Sequence, residues 1–225
     1  IELDELAKSL NLKIHVDHIM IFHPAIKKIK ELIVNNQIGD ILCVNAMRMN
    51  LGPIKKDVSA MWDLALHDLA IIDYLTEGSE PHLISLIGEK LYNPKESLSF
   101  LSMRYNGFIA HIQSSWISPL KERKITIVGS KKMIIFDDMK NSEKLTIYDK
   151  NVKIVSDKNI EYNDYSVETH EGDVWSPYLK QENALYNSIE CFRKAVTENH
   201  QSISGTVQAI RIQKILEKAD KSIDL

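Results

Sequence analysis

The sequence predicts an α+β fold: an open, mostly antiparallel sheet with helices on one face. Three observations lead there. Runs that alternate apolar and polar residues crowd together between residues 82 and 155, whereas an α/β chain would interleave them with helices. Asn106-Gly107 sits between two of these runs. That dipeptide is the strongest short-range signal for a two-residue hairpin, and so for antiparallel pairing. Apolar residues at helical spacing flank the block on both sides.

Taken in order, residues 2–11 put Leu3, Leu6, Ala7 and Leu10 on one helical stripe, and residues 12–16 alternate like a strand. Together they look like the last helix and strand of a Rossmann-type domain whose earlier part is absent. Residues 1–22 are therefore read as that remnant and residues 23–225 as a second domain. Pro24 opens the next helix at the favoured first-turn position. Ala25, Ile26, Ile29, Leu32 and Ile33 give its buried stripe, and Asn35-Asn36 with Gly39 end it. A strand is expected over 41–51 and a polar loop over 52–59. An apolar helix follows from Leu64 to Leu75, introduced by Trp62-Asp63. Strands are expected at 82–91, 96–105, 108–117, 122–128 and 133–136, with short ones near 143–149 and 152–155. Residues 156–177 read as polar and irregular, and helices at 178–198 and 206–222 close the chain.

Composition bounds the function. Hydrophobic residues make up 44% and charged residues 26%, the balance of an ordinary globular protein. A net charge of −3 argues against a nucleic-acid binder, which carries a basic patch and a high pI. Cys43 and Cys191 lie in apolar contexts and read as reduced core thiols. No eighteen-residue apolar run and no signal-peptide pattern is present. The expected location is cytoplasmic, with no membrane partner. Ile1 falls inside a helical pattern, which reads as the start of a fragment or an excised domain.

Asp63 and His67 are the first candidates for chemistry. Four residues apart on a helix, they share one face. An imidazole beside a carboxylate suits proton transfer near neutral pH. The same spacing also fits an acid matched to a helix N-terminus and a hydrogen-bonded helical histidine. On spacing alone both readings stand. Arg48 alternates with Ala46 and Asn50 on one strand face, and arginine suits bidentate contact to an anionic group. Lys55 and Lys56 read as solvated loop residues. Asp68 points roughly 100° from His67 on an ideal helix and reads as a structural partner of a backbone or lysine group. His15, Asp17, His18 and His23 are the densest set of potential ligands. His15 and Asp17 share one strand face and His18 takes the other, so no metal site is expected. Phe100, Tyr105, Phe108 and Trp116 alternate along strands and read as core or interface. The eight glycines stand at 39, 52, 78, 88, 107, 129, 172 and 205, no two within six residues of each other. A Gly-x-Gly-x-x-Gly fingerprint and a P-loop are therefore impossible in this chain.

Three stretches recur together in one known family. They are Val-Asn-Ala-Met-Arg-Met-Asn at 44–50, Trp62-Asp63-x-x-x-His67-Asp68, and Gly129-Ser130-Lys131 before an apolar strand. The chain resembles the Gfo/Idh/MocA oxidoreductases over nearly its whole length, closest to members that oxidise sugars or nucleotide sugars. The resemblance implies that the Asp63/His67 pair lies beside the substrate with His67 as proton acceptor, and that Arg48 and Asn50 contact the substrate. It places His18, in the segment that ends at Pro24, next to a nicotinamide ring. It implies NAD or NADP for the full-length protein, with the glycine fingerprint and a catalytic lysine upstream of Ile1. This chain alone is therefore expected to bind no dinucleotide and to be inactive. The resemblance also implies pairing through the sheet, giving a homodimer or a tetramer of dimers. Two other readings remain open. One is a non-catalytic dimerisation module. The other is a metal-assisted hydrolase or lyase using Asp63, His67 and His18.

Overall fold

The computed structural model describes residues 1–92, 94–155 and 166–222. It is an α+β structure built on one eight-stranded sheet. Helix α1 spans Glu2–Ser9, a 3-10 turn spans Ile19–Phe22, and α2 spans Pro24–Val34. Strand β1 (Ile41–Leu51) leads through a loop to a π-helical turn at Met61–Ala65, which runs directly into α3 (Leu66–Leu75). Strands β2 (Leu83–Glu89), β3 (Leu98–Arg104) and β4 (Ile109–Ser115) form a meander. Next come β5 (Ile117–Gly129), β6 (Met133–Asp137), β7 (Leu145–Val155) and β8 (Ser166–Trp175), then α4 (Ala184–Thr197) and α5 (Thr206–Ser222). The strand order is β2-β3-β4-β1-β5-β6-β7-β8. Only β1 and β4 pair in parallel; every other neighbouring pair is antiparallel. The hairpin at Asn106-Gly107 joins β3 to β4 as its sequence demands, with Gly107 at φ 92°.

Strand alternation decides what is buried. Val44, Ala46, Ile125, Ile127, Ile134, Phe136, Ile112 and Leu101 point to one side, where they join Ile26, Ile29, Leu69 and Ile72 of the helices in a single core. The residues between them face the other way. Ile109 is 41% exposed and Ile87 71%, while Met47, Phe100, His111 and Ile135 are half-buried. Among the described residues, no helix is long and apolar enough to cross a membrane.

Four local features differ from the sequence reading. Residues 12–16 join no ladder. Instead the Val16 N–H donates to the Ser204 carbonyl at 2.7 Å, and the His15 ring lies between Ser188 and Ser202. The two short strands near 143–149 and 152–155 are one strand, β7, with a register shift between Tyr148 and Lys150. A bulge of this kind breaks the alternation that marks a strand in sequence. Part of the stretch read as irregular, 156–177, is the strand β8, and its first ten residues lie outside those described. As the edge of the sheet β8 carries Glu168, Glu171 and Asp173, the charged pattern that guards an edge and hides a strand. The helix expected from 178 starts at Ala184, because the Asn183 side chain accepts the Tyr186 N–H and caps it.

The core makes a direct prediction. Leu101 is fully buried in the middle of β3. Leu101→Ala should cost about 2–5 kcal/mol in urea unfolding of the chain, and a loss under 1 kcal/mol would show that this layer is not packed as described.

Candidate functional site

Four elements meet over the far end of β1 and leave a pocket of about 160 Å³. The 3-10 turn contributes Ile19 and Met20, and β1 contributes Arg48, Met49 and Asn50. Leu64 and His67 come from the π turn and α3, Lys121 and Arg123 from β5. Strand pairing explains the cations. Arg48 stands opposite Arg123 in the β1–β5 ladder, so both side chains emerge on the helix-covered face. Both arginines have a carboxylate. Arg123 lies 3.7 Å from Asp138, which also binds Lys144 at 2.8 Å.

Arg48 is committed more deeply than its sequence pattern suggests. Its Nε and Nη2 donate to Asp68 Oδ2 and Oδ1 at 3.0 and 2.8 Å, a bidentate pair with side chains 8% and 2% exposed. Asp68 is thus a structural partner as expected, but its cation is Arg48 and not a lysine. Arg48 still borders the pocket, with its fork turned to Asp68 and not to a ligand. The i+1 position sends Asp68 down to the strand while His67 stays at the pocket.

His67 has a depressed pKa. Burial is the main cause, the Arg48 cation and His18 push the same way, and Asp68 and Asp63 oppose them. Its Nδ1 is buried and has no hydrogen-bond partner among the described residues. The Asp63 carboxylate does not supply one. Lys55 Nζ binds Asp63 Oδ1 at 2.5 Å and Trp116 Nε1 donates to Oδ2 at 3.2 Å. The expected carboxylate–imidazole pair is therefore not hydrogen-bonded; Asp63 acts on His67 through its charge alone. Lys55, read from sequence as solvated, is the reason, together with Trp116. Trp116 is 2% exposed and belongs to the core, not to an open sheet face.

Asn50 lines the pocket, whereas His18 is buried outside its lining with Nδ1 3.0 Å from Gln208 Oε1. The other members of the histidine cluster diverge. His15 bonds Ser188 and Ser202, Asp17 accepts from Ser188, and His23 Nδ1 accepts the Ala25 N–H at the start of α2. Among the described residues no three His, Cys, Asp or Glu side chains are grouped to hold a metal ion. Lys121 and Arg123 are the pocket residues that sequence reasoning missed. The β1–β5 register that carries them there is not visible in either strand alone.

Residues 26–135 match the family model described as the GFO/IDH/MocA C-terminal domain. Over those residues the chain carries a GFO/IDH/MocA C-terminal domain. No curated protein matches it. Solved structures share its fold. UDP-N-acetylglucosamine 3-dehydrogenase GnnA from Acidithiobacillus ferrooxidans is 22% identical, with a TM-score of 0.74, over 99% of this chain and 65% of that one. The aldose-aldose oxidoreductase from Caulobacter crescentus, complexed with glycerol, is 11% identical with a TM-score of 0.74 over 96% and 63%. An NAD binding oxidoreductase from Klebsiella pneumoniae is 14% identical with a TM-score of 0.75 over 99% and 67%. The chain thus spans 65% of the length of GnnA. The GFO/IDH/MocA match covers β1, α3 and the meander, and so includes Arg48, Asn50, Asp63, His67, Lys121 and Arg123.

The glycine spacing of this chain gives no Gly-x-Gly-x-x-Gly turn. A dinucleotide cradle needs closely spaced glycines where backbone N–H groups meet phosphates at a helix start. Among the described residues, two helix starts are capped by side chains, His23 at α2 and Asn183 at α4. What the pocket offers is a buried imidazole among cations. The pair beneath it gives a test. Arg48→Met strands Asp68 as a buried lone charge and should cost about 3–5 kcal/mol. Arg48→Met combined with Asp68→Leu should recover most of that loss in denaturant unfolding. Simple addition of the two single losses would show that the residues are not coupled.

Proposed function

We propose that this domain is the substrate side of an NAD(P)-dependent oxidoreductase acting on a carbinol of a sugar, cyclitol or nucleotide sugar, with His67 as the proton acceptor. One observation carries the reading: His67 sits in a cation-lined pocket that lowers its pKa. A depressed pKa keeps the imidazole neutral and able to take a hydroxyl proton at neutral pH. Lys121 and Arg123 suit an anionic substrate group such as the phosphates of a nucleotide sugar, the contact that sequence alone gave to Arg48. The resemblance to GnnA, a UDP-N-acetylglucosamine 3-dehydrogenase by name, supports that substrate class. Asp63, held by Lys55 and Trp116, biases His67 electrostatically without orienting it. These residues account for the proton side of the reaction; the hydride side is not theirs.

In the complete enzyme, His67→Asn should lower turnover by about two orders of magnitude or more while leaving the fold intact. In the wild type, the acid limb of kcat/KM should fall below the ordinary histidine value of 6.5, because the His67 pKa is lowered. Near-normal turnover in the variant returns His67 to a structural role.

We further propose that the outer sheet face is where two copies meet. Leu83 at 58% exposed, Ile87 and Ile109 stand on it with half-buried Phe100 and Ile135. Monomers rarely leave an apolar patch of that extent in water, and a self-complementary sheet face suits a two-fold contact. Light scattering should find a dimer or tetramer, and Ile87→Lys with Ile109→Lys should dissociate it. A monomeric parent, or an assembly that survives both charges, ends the idea.

A further inference from the structure

Behind the pocket, four side chains form one continuous hydrogen-bonded relay. His18 precedes the 3-10 turn, Asp73 lies on α3, and Gln208 and Arg211 lie one turn apart on α5. His18, Gln208 and Asp73 are 4%, 4% and 6% exposed. Arg211 Nε and Nη2 donate to Asp73 Oδ1 and Oδ2 at 2.7 and 2.8 Å. Arg211 cannot accept, so Asp73 serves as the acceptor. The end of the Gln208 amide that faces α3 lies 3.1 Å from Asp73 Oδ2 and 3.4 Å from the Ala70 carbonyl oxygen. Both neighbours accept, so that end must be the NH2 group. This settles the amide orientation by chemistry.

Gln208 Oε1 is therefore the atom that faces His18 Nδ1, at 3.0 Å. An amide oxygen can only accept, so Nδ1 must carry a hydrogen. In the neutral imidazole the lone pair is then left on Nε2. Histidine in water prefers the opposite arrangement, so the relay holds His18 in its less favoured tautomer. That choice matters for position. His18 directly precedes Ile19 and Met20, which line the pocket, and its charge is felt by His67.

We propose that Gln208, itself oriented by Asp73, is a positioning residue that locks His18 in the Nδ1–H tautomer and so fixes the start of the turn whose Ile19 and Met20 line the pocket with His67. That the pocket takes a carbinol substrate rests on the function proposed above; the tautomer does not.

Long-range proton–nitrogen NMR of the isotopically labelled chain reads the tautomer directly and needs no activity. Wild-type His18 should carry its proton on Nδ1 when neutral. Gln208→Met, close in volume but without an acceptor, should move the proton to Nε2. Gln208→Glu keeps an acceptor toward His18 and should preserve the Nδ1–H form, although it places a second carboxylate beside Asp73. A purely structural role predicts instead that Glu disturbs His18 more than Met does. In the complete enzyme, Gln208→Met should raise KM for the sugar substrate about tenfold with kcat changed far less, and Gln208→Glu should raise it less. A wild-type His18 protonated on Nε2 overturns the proposal even if no variant folds. So does a Gln208→Met variant whose tautomer or KM is unchanged. A correct tautomer in an enzyme that does not act on carbinols would instead remove the substrate assignment and leave the lock standing.

Discussion

The buried Arg48–Asp68 pair is the constraint on which the rest of the site depends. Arg48 lies on β1, the strand on which the β4 meander and the β5 ribbon converge. Asp68 lies on α3, the helix that carries His67. Taking both charges out of water is expensive, and a lone buried charge would not be tolerated. Two parallel hydrogen bonds of 3.0 and 2.8 Å repay much of that cost. The cost also gives register. Sliding α3 by one residue along β1 would separate the pair, so the helix has one seat on the sheet. His67, next in sequence to Asp68, is seated with it.

The same pair shapes the chemistry. An imidazole buried beside a guanidinium is a poorer proton holder than one in water, which is the direction found for His67. Asp68 opposes this shift, but its charge is already shared with Arg48. Asp63 opposes it too, from a position where Lys55 and Trp116 take both of its oxygens. Arg48, Asp68 and Asp63, the charges that act on the imidazole, are thus each paired elsewhere, and burial decides the outcome. A carboxylate bonded directly to Nδ1 would have raised the pKa and favoured the imidazolium.

The fold was legible in the sequence where one element could speak for itself. The Asn106-Gly107 hairpin, the Pro24 helix start and the helix ending at Leu75 each carry a local signal that tertiary packing left in place, although the first turn before α3 is π-helical and not α-helical. Two strands were obscured for physical reasons: β7 by a bulge near Asp149, β8 by the charges that protect a sheet edge. The site was legible in part. Residues Arg48, Asn50 and His67 do meet at one pocket. The partners that define their roles lie far away in sequence or in another register. Asp63 turns to Lys55 and Trp116, and Arg123 arrives only through pairing with β1. Spacing along one helix proposes neighbours, but competition among donors chooses between them.

His18 shows how far that competition reaches. The segment before the 3-10 turn joins no sheet, yet it is tied to the C-terminal helices by His15 to Ser188 and Ser202, by Asp17 to Ser188, by Val16 to Ser204, and by His18 to Gln208. Ile19 and Met20, which line the pocket, inherit their position from these bonds. Part of the pocket lining is therefore set by the Arg48–Asp68 pair and another part by α4 and α5. Helix α5 packs on α3 through Arg211 and Asp73, so the two supports share one helix. A strain that moved α3 would be felt at both parts at once, which is why the residues that fix α3, and not only those lining the pocket, belong to the description of the site.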